Sequence, residues 1–215
     1  MVKLKICGMR RLEDIEMANE YKPDYIGFVF AESPRRVSYN QAKELSANLC
    51  EDVVPVGVFV DEHMKLIVDL FKNGIIEMAQ LHGDEDEEYI RNLKAKSLEE
   101  AGREIPVING IEIRDDGDYD DILLKCDDSL ADYFILDSGK GSGKIFNWDL
   151  INKNSGMFKN QLFLAGGLNS ENLDLAIREF NPFAVDLSSG AETNGFKDEE
   201  KIKEIVKIIE DYNSL

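Results

Sequence analysis

The stretch from residue 162 to residue 192 reads LFLAGGLNSENLDLAIREFNPFAVDLSSGAE. A short apolar run at 162–165 is followed by a glycine-containing loop, a segment with apolar residues at helical spacing at 170–180, and a β-branched run at 184–187. Strands that alternate with helices in this way form parallel sheets, because each helix carries the chain back to the start of the next strand. This stretch therefore predicts one βαβ unit.

The same alternation recurs along the chain and gives eight units. The predicted strands are Lys3–Cys7, Tyr25–Phe30, Val54–Phe59, Met78–Leu81, Pro106–Ile108, Tyr133–Asp137, Leu162–Ala165 and Ala184–Leu187. The predicted helices are Leu12–Glu20, Tyr39–Leu49, Glu62–Phe71, Glu85–Lys94, Asp118–Lys125, Trp148–Lys153, Ser170–Phe180 and Glu199–Tyr212. The residues expected as helix N-caps are Ser38, Asp61, Asp84, Asn147 and Asn169. Eight units predict a single (βα)₈ TIM-barrel domain over residues 1–215, with a doubly wound open sheet as the alternative.

Composition and charge exclude several classes of protein. The 215 residues are 43% hydrophobic and 32% charged, which is typical of a soluble folded domain. The net charge of -18, with no block of basic residues, argues against nucleic-acid binding. The N-terminal segment mixes charges with short apolar runs, so neither a signal peptide nor a membrane span is expected. Three widely spaced cysteines fit the reducing cytoplasm, where we expect a monomer or a homodimer.

In a (βα)₈ barrel the loops that follow the strands carry the chemistry, because the carboxyl ends of all eight strands open on one face. Strand alternation directs Lys3, Lys5 and Cys7 inward, which places Cys7 at the rim with Lys5 one layer below. The lysine could favour the thiolate, making Cys7 a base that alkylates faster than Cys50 or Cys126; the alternative is a small buried side chain before a turn.

The sixth strand ends at Asp137, the last inward side chain of that strand. A carboxyl group there can act as a general acid or base, although it could instead only cap the glycine-rich turn that follows. That turn, 139–144, supplies flexible backbone and two lysines, which suit a loop that closes over an anion.

The loops after the seventh and eighth strands contain small residues that let backbone N–H groups approach an oxyanion. These residues are Gly166, Gly167, Ser188, Ser189 and Gly190. In TIM barrels this is the usual phosphate position, whereas two ordinary tight turns are the alternative.

Two further loops offer polar side chains to the same face. In the second loop, Arg35 and Arg36 could present a planar fork to a carboxylate, although an exposed basic pair often has no function. In the fourth loop, Gln80 and His82 share a face near the rim. We expect no metal, because ligands are not clustered, and no nucleotide cofactor, because a GxGxxG fingerprint after the first strand is absent.

Several short motifs, taken in order, closely resemble the phosphoribosylanthranilate isomerase family over nearly the whole chain. They are KICGM, GFVF followed by SPRRVS, VGVFV, QLHG, LDS with GSGKIFNW, LAGGLN and AVDLSSG. The resemblance implies a cofactor-free Amadori rearrangement of N-(5-phosphoribosyl)anthranilate to 1-(2-carboxyphenylamino)-1-deoxyribulose 5-phosphate, a step of tryptophan biosynthesis. It also implies that Cys7 is the general base, that Asp137 is the general acid and that Arg35 binds the anthranilate carboxylate.

Loops and resemblance together predict that the partner of this chain is a small phosphosugar-anthranilate substrate. The expected substrate-binding residues are Arg35, Gln80, His82, Gly143, Gly166, Gly167, Asp186, Ser188, Ser189 and Gly190. Three departures from the family pattern are Lys140 for a glycine, Asn147 for an aspartate and Asn109 for a lysine, the last removing a possible active-site cation. The open alternatives are a related enzyme, such as indole-glycerol-phosphate synthase, and a non-catalytic barrel that binds a phosphometabolite.

Overall fold

The computed structural model describes residues 1–112, 129–137 and 162–215. Its eight parallel strands close into one barrel in sequential order, with β1 hydrogen-bonded to both β2 and β8. The strands are β1 Lys3–Cys7, β2 Tyr25–Val29, β3 Val54–Phe59, β4 Met78–Leu81, β5 Val107–Glu112, β6 Tyr133–Asp137, β7 Leu162–Leu164 and β8 Ala184–Leu187. The predicted TIM barrel is therefore confirmed, and the open sheet is excluded.

The described helices pack around the barrel. They are α1 Leu12–Tyr21, α2 Tyr39–Ala47, α3 Met64–Lys72, α4 Glu87–Ala101, α5 Leu173–Phe180 and α6 Glu199–Asn213. A short 3₁₀ turn at Ser189–Ala191 and a hairpin of β9 Glu192–Thr193 and β10 Phe196–Lys197 separate β8 from α6. The two predicted helices at 118–125 and 148–153 lie outside the described residues.

The helices begin where side chains satisfy the free N–H groups of the first turn. Ser38 caps α2 as predicted, by accepting from the Gln41 amide at 3.3 Å. The predicted caps Asp61, Asp84 and Asn169 are wrong, because α3, α4 and α5 each begin two or three residues later. The residues that precede those helices are His63, Asp86 and Asn172. The predicted cap Asn147 lies outside the described residues.

Loop-to-loop hydrogen bonds explain why two of the predicted caps fail. Asp61 adopts a left-handed φ of 49°, and its carboxylate accepts from the Asp84 amide at 2.8 Å. Glu85 accepts from the amides of Asp61 and Gly83, both at 2.8 Å. These bonds join the loop after β3 to the loop after β4, and they hold the Asp61 carboxylate and the Asp84 amide in place before either helix starts.

The alternating side chains of the strands form two cores. Outward residues such as Leu4 and Ile6 pack against the helices in the larger core. The inner core fills the barrel and is made of Tyr25, Val56, Met78, Ile108, Ile135, Phe163, Ala165 and Ala184. Phe163 meets the rings of Tyr25 and Tyr133 edge-on, with centroids 5.4 and 5.7 Å apart. Full burial of an aromatic side chain such as that of Phe163 stabilises the fold by about 1.5–3 kcal/mol. The inner core therefore supports the residues at the carboxyl-terminal end of the barrel.

Candidate active site

Cys7 is the last residue of β1, and it lies at the carboxyl-terminal rim of the barrel facing inward, as predicted. Its neighbour on β2 is Gly27, where an added Cβ would lie only 2.6 Å from the Cys7 Sγ. The thiol therefore packs against the backbone of Gly27, and Cys7 is only 8% exposed.

Below Cys7, the barrel interior contains a buried ion pair. The Lys5 Nζ donates to Asp186 Oδ2 at 2.9 Å, and the two side chains are 0% and 8% exposed. Burial alone would lower the pKa of Lys5, but the carboxylate of Asp186 and the thiolate form of Cys7 raise it overall. Lys5 therefore stays an ammonium that interacts with both partners. The second Asp186 oxygen has no hydrogen-bond partner among the described residues.

The ammonium of Lys5 does not make Cys7 an acidic thiol, contrary to the prediction. Burial raises the pKa of Cys7, with Asp186 adding to the effect, and this outweighs the attraction of Lys5 and Lys197. The expected order of alkylation stays a prediction; Cys7 is buried, whereas Cys50 is half-buried. Cys126 lies outside the described residues.

The opposite wall is formed by β4 and β6. Asp137 ends β6, and its Oδ2 lies 3.7 Å from the Nε2 of His82. Gln80 Nε2 lies 3.5 Å from the other ring nitrogen, Nδ1. When the Gln80 amide donates to Nδ1, the ring proton is on Nε2 and faces Asp137. Gln80 and His82 share a face as predicted.

β5 runs further than predicted, and this changes which residue faces the site. Ile108 belongs to the inner core, so the alternation turns Asn109 toward the helices and gives the inward position to Gly110. A Cβ on Gly110 would lie 2.6 Å from His82 Nδ1. The expectation that Asn109 replaces an active-site cation is therefore wrong.

The two arginines of the loop after β2 have different partners. Arg35 lies over Gly8, where an added Cβ would be 2.5 Å from the arginine Cδ, and it bonds to Glu192 through Nε and Nη2, both at 2.7 Å. Arg36 instead pairs with the exposed Glu32 at the surface. The two side chains therefore do not form a fork, and Arg35 is the one beside Cys7.

Glu192 and Lys197 are site residues that the sequence reasoning missed. Lys197 Nζ donates to Glu192 Oε1 at 2.8 Å and to the carbonyl oxygen of Ser188 at 2.9 Å. Burial alone would raise the pKa of Glu192, but hydrogen bonds from Arg35 and Lys197 lower it to about 2. The signal was the Asn194–Gly195 pair, a typical hairpin turn, which indicates that Glu192 and Lys197 lie opposite each other.

The loops after β7 and β8 lie directly against each other. Gly166 and Gly167 adopt φ values of 93° and 65°, which favour glycine. A Cβ on Gly190 would lie 1.9 Å from the Leu168 carbonyl oxygen, so the close approach of the two loops requires glycine there. The amides of Ser189 and Gly190 donate to no acceptor among the residues that the structure describes. The predicted site residue Gly143 lies outside those residues.

Within residues 1–112, 129–137 and 162–215, no group of three His, Cys, Asp or Glu side chains is arranged to hold a metal ion. None of the described helices combines the length and apolar character needed to cross a bilayer.

Comparisons with known proteins agree over the whole length of the chain. A family model described as N-(5'phosphoribosyl)anthranilate (PRA) isomerase matches residues 4–208. A relative from Clostridium acetobutylicum named N-(5'-phosphoribosyl)anthranilate isomerase is 43% identical over 206 residues, which cover 96% of this chain and 97% of the relative. A relative of the same name from Endomicrobium trichonymphae is 43% identical over 209 residues, which cover 97% and 98%.

Solved structures give the same result. The crystal structure of phosphoribosyl anthranilate isomerase from Thermotoga maritima superposes with a TM-score of 0.82 at 36% identity, covering 98% of this chain and all of that one. A structure of such an enzyme in complex with reduced 1-(o-carboxyphenylamino)-1-deoxyribulose 5-phosphate also has a TM-score of 0.82, at 35% identity and with the same coverage.

Proposed function

Because this chain belongs to the N-(5'-phosphoribosyl)anthranilate isomerase family, we propose that it converts N-(5'-phosphoribosyl)anthranilate to 1-(o-carboxyphenylamino)-1-deoxyribulose 5-phosphate in tryptophan biosynthesis. The observation that carries the proposal is the placement of Cys7 and Asp137. Cys7 is the last residue of β1 and Asp137 is the last residue of β6, so both lie at one mouth of the barrel. Strands β7 and β8 separate β6 from β1. A sugar bound across the mouth would have one group on each side.

In the first step, the lone pair of the anilino nitrogen forms a Schiff base as the bond between C1 and the ring oxygen breaks. The ring oxygen then needs a proton, and we assign its delivery to Asp137, with His82 beside it at 3.7 Å. His82 is a polar neighbour that can hold the carboxyl group in place before it donates.

In the second step, a base removes the proton from C2, which the cationic nitrogen has made acidic. We assign this step to Cys7. The resulting enolamine becomes the aminoketose when C1 gains a proton and the C2 hydroxyl loses one. The protons taken up and released balance, and C1 is reduced as C2 is oxidised, so the reaction consumes no external oxidant or reductant.

The rise in the pKa of Cys7 is compatible with this role because the substrate changes its surroundings. The cationic Schiff base arises beside the thiol only after ring opening, and a nearby positive charge favours the thiolate. The base would thus form when it is needed.

The two anionic groups of the substrate have separate sites in this proposal. The amides of Ser189 and Gly190, with the loop at Gly166 and Gly167, would hold the phosphate. Arg35 would hold the anthranilate carboxylate as a charge-assisted pair. Gln80 and Asp186 lie inside the barrel with one unpartnered oxygen each among the described residues, and these oxygens can accept hydrogen bonds from sugar hydroxyls.

Product identification tests the proposal. Purified protein is given N-(5'-phosphoribosyl)anthranilate, and we expect a product of unchanged mass with the chromatographic behaviour of the aminoketose. A strain that lacks this isomerase should also grow without tryptophan when it expresses the chain. An indole product would support the related synthase, and binding without turnover would support a non-catalytic barrel; either result overturns the proposal.

A further inference from the structure

The hairpin that follows β8 holds two charged residues directly opposite each other. β9 and β10 pair antiparallel, with Lys197 opposite Glu192. The turn between them is Asn194–Gly195, with φ values of 53° and 78°. Positive φ at both positions is typical of the tight two-residue turn that matches strand twist. The spacing of Glu192 and Lys197 is therefore fixed by backbone.

The hairpin is also attached to the loops after β1 and β2. The guanidinium groups of Arg10 and Arg11 lie over the ring of Phe196, at 4.5 and 4.6 Å from its centroid. Arg10 additionally donates to the carbonyl oxygens of Gly195 and Pro34, at 2.7 and 2.6 Å. Three loops of the catalytic face are joined by these contacts, so Glu192 is presented from a braced element.

Glu192 binds only one edge of Arg35. It accepts from Nε and Nη2, both at 2.7 Å. A guanidinium has five N–H groups, so this pair leaves the Nη1–Nη2 edge with three. No described residue accepts a hydrogen bond from Nη1. The free edge has the fork geometry that a second carboxylate can bind with two parallel hydrogen bonds.

Glu192 is itself held firmly. Its side chain is 5% exposed, and Lys197 donates to it from the other side at 2.8 Å. Hydrogen bonds from Arg35 and Lys197 keep the pKa of Glu192 at about 2, so its carboxylate is ionised at neutral pH. The charge that fixes Arg35 is thus present at neutral pH.

A competing interpretation makes Glu192 an internal competitor that the substrate must displace from Arg35. Displacement would leave the Glu192 carboxylate, at 5% exposure, with Lys197 as its only charged partner among the described residues. Breaking such a buried pair is costly, whereas binding at the free edge breaks nothing. The two interpretations predict opposite effects of removing Glu192 on substrate affinity.

We propose that Glu192 is a positioning residue that holds the Nε–Nη2 edge of Arg35, so that the other edge faces the carboxylate of the substrate. The proposal rests on the role given to Arg35 under the proposed function. It gives the β9–β10 hairpin a role in substrate recognition that the sequence motifs of the other loops do not indicate.

The test is a double-mutant cycle between Glu192 and Arg35, read as KM and kcat for N-(5'-phosphoribosyl)anthranilate. Glu192→Gln leaves the buried Lys197 and the half-buried Arg35 without their carboxylate and could fail to fold, so Glu192→Asp, which keeps the charge but shortens the reach, is the main variant. We expect it to raise KM about tenfold, the scale of about 1.4 kcal/mol, with little change in kcat. In an Arg35→Ala background it should change KM by less than about twofold.

Three controls separate positioning from general damage. Glu32→Gln removes the partner of the neighbouring, exposed Arg36 and should leave KM unchanged. Competitive inhibition by inorganic phosphate should be the same in the Glu192→Asp variant, because the phosphate loop is intact. A substrate analogue that lacks the carboxylate should bind the variant and the unmodified protein equally.

Each outcome of the cycle has one meaning. A lower KM in Glu192→Asp would establish the competitor interpretation, and an equal rise in KM in both backgrounds would establish a structural role; either overturns the proposal. If Arg35→Ala leaves KM unchanged, the role of Arg35 in the proposed function fails, and the proposal fails with it. If Arg35→Ala raises KM while Glu192→Asp does not, only the positioning role fails.

Discussion

The two walls of the barrel mouth are built differently. On the β1 and β8 side, Lys5 and Asp186 form a 2.9 Å ion pair with both side chains almost fully buried. On the β4 and β6 side, His82 and Asp137 are 3.7 Å apart and about one-third exposed, at 30% and 34%. The charged groups of the first wall make a direct hydrogen-bonded ion pair, whereas the polar groups of the second wall make contacts longer than ordinary hydrogen bonds.

The difference indicates where the fold depends on the polar groups of the site. Charges on the buried wall have lost their water, so their mutual contact is needed for stability. Side chains on the exposed wall are still hydrated and can adjust, and catalytic hydrogen bonds often tighten only when substrate binds. The buried wall therefore fixes the geometry of the barrel mouth, and we expect the side chains of the exposed wall to adjust when a ligand binds.

Making the same substitution on each wall should give the largest contrast. Asp186→Asn leaves Lys5 buried without its counter-ion, and we expect a loss of about 3–5 kcal/mol in the free energy of unfolding. Asp137→Asn, on the exposed wall, should change it by less than about 0.5 kcal/mol. Urea denaturation measures both. Equal losses would mean that the two walls do not differ as described.

Turnover should depend on side chains of both walls. Cys7→Ala and Asp137→Asn should each lower kcat by at least about a hundredfold, the usual scale of general acid–base catalysis, while the fold survives. Cys50→Ala is the matched control and should keep normal kcat. Steady-state kinetics on variants with unchanged circular dichroism decide this, and near-normal turnover of Cys7→Ala would remove Cys7 as the base.

The smallest expected effect concerns the protonation of Cys7. In a variant with Cys50 and Cys126 replaced by serine, ultraviolet absorbance should show thiolate forming at a higher pH than in an unburied cysteine, because burial raises the pKa of Cys7. Cys7 is therefore a thiol at neutral pH and ionises as pH rises. The corresponding limb should lie at lower pH in kcat than in kcat/KM, since only the complex contains the cationic intermediate. Coincident limbs would contradict that account.

The strand pattern was predictable because inward and outward residues alternate locally. The bounds of β1, β3, β4, β6 and β8 agree with the sequence prediction. The predicted β5 ends too early because Asn109 and Gly110 are typical turn residues. In the barrel, pairing with the neighbouring strands keeps both residues extended. The failed cap Asp61 has the same origin, since its carboxylate accepts from the Asp84 amide of the next loop rather than from the first turn of a helix.

The site was predictable in position but not in electrostatics. Cys7, Asp137 and the glycine loops follow from the rule that chemistry lies after the strands. The pKa of Cys7 depends on how completely three-dimensional packing excludes water, a quantity that local sequence does not contain. Glu192 was missed because its partner Arg35 is 157 positions away in the chain.

The glycines opposite Cys7 and His82 define what a transplant of this site into another scaffold would require. At Gly27 and Gly110, an added Cβ would lie only 2.6 Å from the Cys7 Sγ and the His82 Nδ1, respectively. A scaffold that copies only Cys7 and His82, with larger residues at the two glycine positions, would displace the thiol and the imidazole. The two glycines are therefore as necessary to this geometry as Cys7 and His82 themselves.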